Sequence, residues 1–115
     1  MKQISEHNNL VFYTASIEEV STLQFNEPVI VIANSSELIL TLLEKFSSQI
    51  KLIVDIGDNL KNIIEKLKAY KHCTIEASNI SEAVNIVKLF KSSAKNVIYF
   101  QPENEANYKT AIELN

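Results

Sequence analysis

The chain has 115 residues, 46% of them hydrophobic and 22% charged, with a net charge of -3. That size and balance describe one globular domain with a true core, and they exclude a disordered polymer. Arginine is absent and lysine is the cationic side chain throughout, so the basic, arginine-bearing face expected of a nucleic-acid binder is missing. Cys73 is the one cysteine, which rules out an internal disulfide and leads us to expect a cytoplasmic setting. No apolar run approaches the ~20 residues of a membrane span, and Met1 to Glu6 carry no hydrophobic signal segment. No membrane partner is expected.

In chain order, Lys2 to Glu6 and Leu10 to Tyr13 read as two short strands. His7-Asn8-Asn9 between them suits a tight hairpin, because asparagine tolerates left-handed backbone. Ser16-Ile17-Glu18-Glu19 is a capping box, and predicts a short helix to about Leu23. Val29 to Ala33 is a buried strand. Asn34-Ser35-Ser36-Glu37 caps a helix running to about Ser47, with Ile39, Leu42, Leu43 and Phe46 on one face. Leu52 to Ile56 is the next strand, closed by Gly57. Asp58 is expected to cap a helix reaching Tyr70, with Leu60, Ile63, Ile64 and Leu67 inward. Thr74 to Ala77 is a short strand whose polar interior suits a place near the sheet edge. Asn79-Ile80-Ser81-Glu82 caps a helix to about Lys91, with Ile80, Ala83, Val84 and Val87 inward. Val97 to Phe100 is the last strand, Pro102 stops it, and a final short helix is expected around Tyr108 to Leu114.

Three strand–helix units with apolar β-branched strands predict an α/β fold. The sheet is expected to be an open, Rossmann-like one, mostly parallel, with helices on both faces and an antiparallel hairpin at the N-terminal end. The units share a pattern and not a sequence, so they are not a solenoid repeat. Residues 1–115 are read as a single domain.

In open α/β sheets ligands bind beyond the carboxyl ends of the strands. Here those segments supply mostly hydroxyls and amides, with Asp58 as the carboxylate. Thr14, Ser16, Asn34, Gln101 and Asn104 are therefore the candidate ligand-binding residues. The competing reading makes such residues helix caps. Phosphate needs glycines that let the backbone approach it; this chain has one glycine, Gly57, and puts Glu37 in a first helical turn. Asp55 and Asp58 could form an acid–base or metal pair, but no histidine or third carboxylate is near them in sequence. We expect Asp55 to be partly solvated at its strand end and Asp58 to be a cap. Glu76 is expected to face solvent, and His7 to lie on the surface of its turn. Cys73 and His72 are adjacent in a strand, so their side chains point to opposite faces and cannot pair. The lysines near Lys66, Lys68 and Lys71 suit a helix C-terminal end. No catalytic triad and no metal site can be assembled.

Taken in order and spacing, several segments resemble the C-terminal domain of the Mur ligases, most of all its D-glutamate-adding member. Leu10-Val11-Phe12-Tyr13 resembles the family's strand before an Asp-Ser-Lys segment. Glu27 to Ala33 resembles its next strand, and Lys51 to Asp58 its strand and turn of valine, leucine, isoleucine, glycine and glutamate. Asn79 to Val84 resembles a helix start, and Val97 to Pro102 the strand ending in Ser-Pro. The likeness runs from Lys2 to about Pro102.

It implies the fold, and a domain that helps bind an incoming amino acid and closes over ATP held by a central domain. It also implies loss of function. The Asp-Ser-Lys falls on Ala15, Ser16 and Ile17, the serine of Ser-Pro falls on Gln101, and Asn34-Ser35-Ser36 replace a glycine-rich loop. The expected function is a non-catalytic binding or interaction module with no cofactor, recognising a protein partner or a small ligand. The alternative is the amino-acid-binding domain of a divergent, ATP-dependent, amide-forming ligase of peptidoglycan synthesis, its ATP-binding domain lying outside this chain.

Overall fold

Asn8 and Asn9 take left-handed backbone, with φ of 51° and 70°. They turn Lys2–His7 (β1) back onto Leu10–Thr14 (β2) as an antiparallel pair. The computed structural model describes residues 1–69 and 73–114. Beyond the hairpin lie Val29–Ala33 (β3), Ser36–Phe46 (α1), Ile50–Ile56 (β4), Ile64–Leu67 (α2), Cys73–Ala77 (β5), Ile80–Leu89 (α3), Asn96–Tyr99 (β6) and Glu105–Glu113 (α4). Short 3-10 helices span Ile17–Ser21, Leu60–Asn62 and Pro102–Asn104.

The strands form one sheet in the order β1-β2-β6-β3-β4-β5, parallel from β2 to β5. The expected fold class is thus observed, hairpin included. β5 lies at an edge, and Glu76 on it is exposed. The last strand in the chain, β6, inserts between β2 and β3 at the middle of the sheet.

Alternation along the strands builds two cores, one on each face. Val29, Val31, Ile53 and Ile98 face α1, the first two 3-10 helices and α2. Ile30, Ile32, Leu52, Val54 and Val97 face α3 and α4. The predicted faces of α1 and α3 hold: Ile39, Leu42, Leu43, Ala83, Val84 and Val87 are all fully buried. Each buried leucine or isoleucine contributes about 1.5–3 kcal/mol. Lys88 of α3 donates to the carbonyl of Ile112 at 2.8 Å, tying the last turn of α4 to its neighbour, and burial lowers the pKa of its ammonium.

The helix predicted after Gly57 differs from expectation. It is a 3-10 turn over Leu60–Asn62 and then a single α-turn, broken at Ile63, where φ is -126° and ψ 14°. Leu60 and Ile63 are buried, but Ile64 is 57% exposed. The end expected at Tyr70 lies outside the described residues, as does Lys71. His7 is not a turn residue; it ends β1 half-buried, and its Nε2 is enclosed without a hydrogen-bond partner among the described residues. The final helix begins three residues earlier than Tyr108, at Glu105.

Leu42→Ala and Ile63→Ala should each cost about 2–5 kcal/mol, and Val87→Ala somewhat less. Ile64→Ala should stay within about 0.5 kcal/mol. Urea midpoints of the four variants check this, and equal losses at Ile63 and Ile64 would contradict the observed break.

Candidate functional site

Three neighbouring strands, β2, β6 and β3, end together at one edge of the sheet. The residues that follow them are Ser16, Gln101 and Asn34, and these line one open cleft of about 270 Å³. The remaining walls are Ile17, Glu18, Phe100 and Glu103. Of the five residues expected at the site, three are therefore brought together.

Thr14 and Asn104 are not in this cleft. Thr14 is buried, and its hydroxyl donates to the carbonyl of Tyr99 at 3.0 Å, binding β2 to β6. The Asn104 amide donates to the Tyr99 hydroxyl at 3.3 Å. Behind it Tyr108 lies fully buried, its ring 5.0 Å from that of Tyr99 and 6.1 Å from that of Phe12. Burial raises both phenols above their ordinary pKa of 10, Tyr108 well above it. Neither can serve as a base at neutral pH. Thr14, Tyr99 and Asn104 are a structural joint.

The cleft is acidic. Glu18 and Glu103 line it, and no lysine does so among the described residues. The Gln101 amide donates to the Glu103 carboxylate across two residues, so its polarity is already partly satisfied. Glu19 reaches back as a capping residue does: its carboxylate accepts from the Ser16 amide at 3.0 Å and the Ser16 hydroxyl at 3.2 Å. The Met1 ammonium also donates to it. That contact, followed by the Ser16 amide, lowers the Glu19 pKa below its ordinary 4.5. Ser16 is thus engaged in holding the 3-10 helix that carries Ile17 and Glu18.

Ser35 caps α1, accepting from the Leu38 amide at 3.3 Å, and Asn79 caps α3, accepting from the Glu82 amide at 2.9 Å. These helix starts are closed by their own side chains. The cap reading therefore holds for them.

Asp55 corrects its expectation. It is fully buried, not partly solvated. One carboxylate oxygen accepts from the Asn59 amide at 2.9 Å and the other from the Asn59 side chain at 2.8 Å. Gly57, at φ 112°, makes the bend between them possible. The Asn59 carbonyl in turn accepts from the Ser36 hydroxyl at 3.1 Å, which joins this turn to the start of α1. Asp58 is not the cap; its side chain is 77% exposed and pairs with Lys61 at 3.5 Å. The two carboxylates serve different ends and make no acid–base pair. No cluster of three or more His, Cys, Asp or Glu able to hold a metal is present among the described residues. The side chains of His72 and Cys73 lie outside the described set.

Sequence reasoning missed Ile17, Glu18, Phe100 and Glu103. The signal was available for Glu103, which stands inside the segment after β6. Ile17 and Glu18 follow β2 directly, and Phe100 and Glu103 come between them and Asn34 because β6 enters the sheet between β2 and β3.

No family model matches this chain, and no curated protein matches it. Among solved structures, the fold is similar to that of a domain from a proposed UDP-N-acetylmuramate:L-alanyl-gamma-D-glutamyl-meso-diaminopimelate ligase of Haemophilus ducreyi 35000HP. The TM-score is 0.68 and the identity 10%, over 96% of this chain and 94% of that one. The fold is thus that of a Mur ligase domain, as the sequence likeness implied, though the ligase in question is not the D-glutamate-adding one. No helix among the described residues is long and apolar enough to cross a membrane.

Asp55→Ala should lower stability by about 1–3 kcal/mol, because it leaves the Asn59 donors unpaired. Combined with Asn59→Ala in a double-mutant cycle, it should be clearly non-additive; additive losses would remove the claimed link.

Glu19 predicts a dependence on acid. Its pKa is depressed in the folded state, so its contribution is present above about pH 4.5 and is lost as pH falls through the folded value. Thermal midpoints of the wild type and Glu19→Gln should differ at neutral pH and converge in acid. A gap that persists unchanged in acid would show that the carboxylate charge is not what holds the turn.

Proposed function

We propose that this chain is a non-catalytic binding or interaction module built on a Mur-ligase-like fold, with the cleft of Ser16, Asn34 and Gln101 as its recognition surface. The observation that carries the reading is the charge of that cleft. A phosphate placed there would meet Glu18 and Glu103 with no lysine to neutralise it, whereas phosphoryl chemistry depends on cations and closely approaching amides. Ile17 stands where the resemblance places a lysine, and it is 59% exposed. It supplies no charge to a phosphate there.

The similarity to a ligase domain over nearly the full length of both chains favours a second reading. In that reading the chain is the amino-acid-binding domain of a divergent amide-forming ligase of peptidoglycan synthesis, and ATP is held by a separate domain. The two readings agree that this chain does not cradle ATP alone.

Isothermal titration with Mg-ATP, and separately with D-glutamate, is the direct test. No heat of binding with Mg-ATP is expected, for the wild type or for Ala15→Asp combined with Ile17→Lys. Micromolar Mg-ATP binding by the wild type would overturn the non-catalytic reading. D-glutamate binding that is weakened by Gln101→Ala would favour the second reading over the first.

A further inference from the structure

The crossover from β2 to β3 must pass over β6, yet residues 15–28 contain only the five-residue 3-10 helix Ile17–Ser21. That length suffices for a parallel crossover, but such connections usually carry an α-helix and this one does not. On the face of the sheet shared with α1, only the short 3-10 helix and the loop after it cover the strands beside the hairpin.

A separate cleft of about 240 Å³ opens there. Tyr13, Val29 and Ile98 form its floor, Phe25 its wall, and Glu27 and Asn96 its rim. Phe25 is braced from behind by Phe46, with ring centroids 4.5 Å apart. The Asn96 amide donates to one Glu27 oxygen at 3.1 Å, which orients the carboxylate and leaves its other oxygen open to a donor.

We propose that this cleft binds a small aromatic amine. The apolar floor and the two aromatic residues suit a flat ring. The volume lies below the roughly 300–1,000 Å³ of drug-sized sites, so the ring system is no larger than one or two fused rings. The charge follows from the rim. Glu27 is its charged side chain, and the Met1 ammonium at the edge already donates to Glu19. Lys91 and Lys95 line an adjoining groove that Glu27 shares, and neither forms an ion pair with it. An ammonium group would meet the open Glu27 oxygen while its ring lies against Tyr13 and Phe25, within reach of cation–π attraction. An anionic ring compound would be repelled. This site is independent of the cleft at the carboxyl end of the strands.

The test is amide-shift NMR titration of the whole chain with tryptamine, tryptophol and indole-3-acetate, which share a ring and differ in charge. Tryptamine should shift the amides of Tyr13, Phe25, Glu27 and Ile98 and bind tightest, and indole-3-acetate weakest. Glu27→Gln, at an exposed position, should weaken tryptamine by about two- to fivefold, as for an exposed ion pair, and leave tryptophol unchanged. Phe25→Ala should abolish the shifts for all three, with retained amide dispersion showing that the chain still folds. Absence of shifts with every probe, shifts confined to other surfaces, or indole-3-acetate binding as tightly as tryptamine would each overturn the proposal.

Discussion

The first amides of a helix have no partner inside it, and in a parallel β/α sheet they lie where the strands end. How a chain answers those amides decides what else can bind there. Many α/β proteins leave them for a phosphate. This chain closes them with its own side chains: Ser35 on Leu38, Asn79 on Glu82, and Glu19 on Ser16. It also sets carboxylates in the first turns, Glu37 in α1, Glu82 in α3 and Glu105 in α4. Each is favourable to its own helix. Glu105 is in turn paired with Lys2 at 3.1 Å, while Glu37 and Glu82 add negative charge beyond the strand ends.

The lysines follow the same polarity in reverse. Lys45 and Lys88 stand in the last turns of α1 and α3. Both also reach across to carbonyls of other elements, Lys45 to Val20 at 2.5 Å and Lys88 to Ile112 at 2.8 Å. Lys45 lies in addition over the ring of Phe46, 5.2 Å from its centroid. The charge pattern is therefore an output of helix polarity and packing.

Local chemistry was legible in the sequence, and long-range placement was not. The faces of α1 and α3, the caps at Ser35 and Asn79 and the asparagine turn depend on residues within one or two turns of each other, so periodicity and residue type identified them. The segment after Gly57 fails for a specific reason. Asp55 captures Asn59, which pulls the chain into a tight turn. Helical backbone does not resume until beyond Ile63, so Ile64 rotates out of the core. The helical spacing of Leu60, Ile63 and Ile64 was real but incomplete, since it carries no trace of a carboxylate buried in the preceding strand. The site divides along the same line. Ser16, Asn34 and Gln101 were recognisable as strand-end residues. Thr14 is sealed because β6, far away in sequence, enters beside β2 and offers the carbonyl of Tyr99.

The supply of glycine separates what this fold needs from what nucleotide chemistry needs. The backbone takes positive φ at three described positions, and glycine fills one of them, Gly57 at 112°. The hairpin manages with Asn8 and Asn9, which tolerate the left-handed region without being glycine. A single glycine is therefore sufficient for the architecture. A phosphate loop is a different demand, because there glycine is needed for the closeness of the ligand to the backbone as well as for the turn. At the end of β3, where such a loop would lie, Asn34-Ser35-Ser36 stand without a glycine, Ser35 caps α1 through the Leu38 amide, and Ser36 donates to the Asn59 carbonyl. The residues retained are those that folding requires. Those missing are the ones phosphate binding would add.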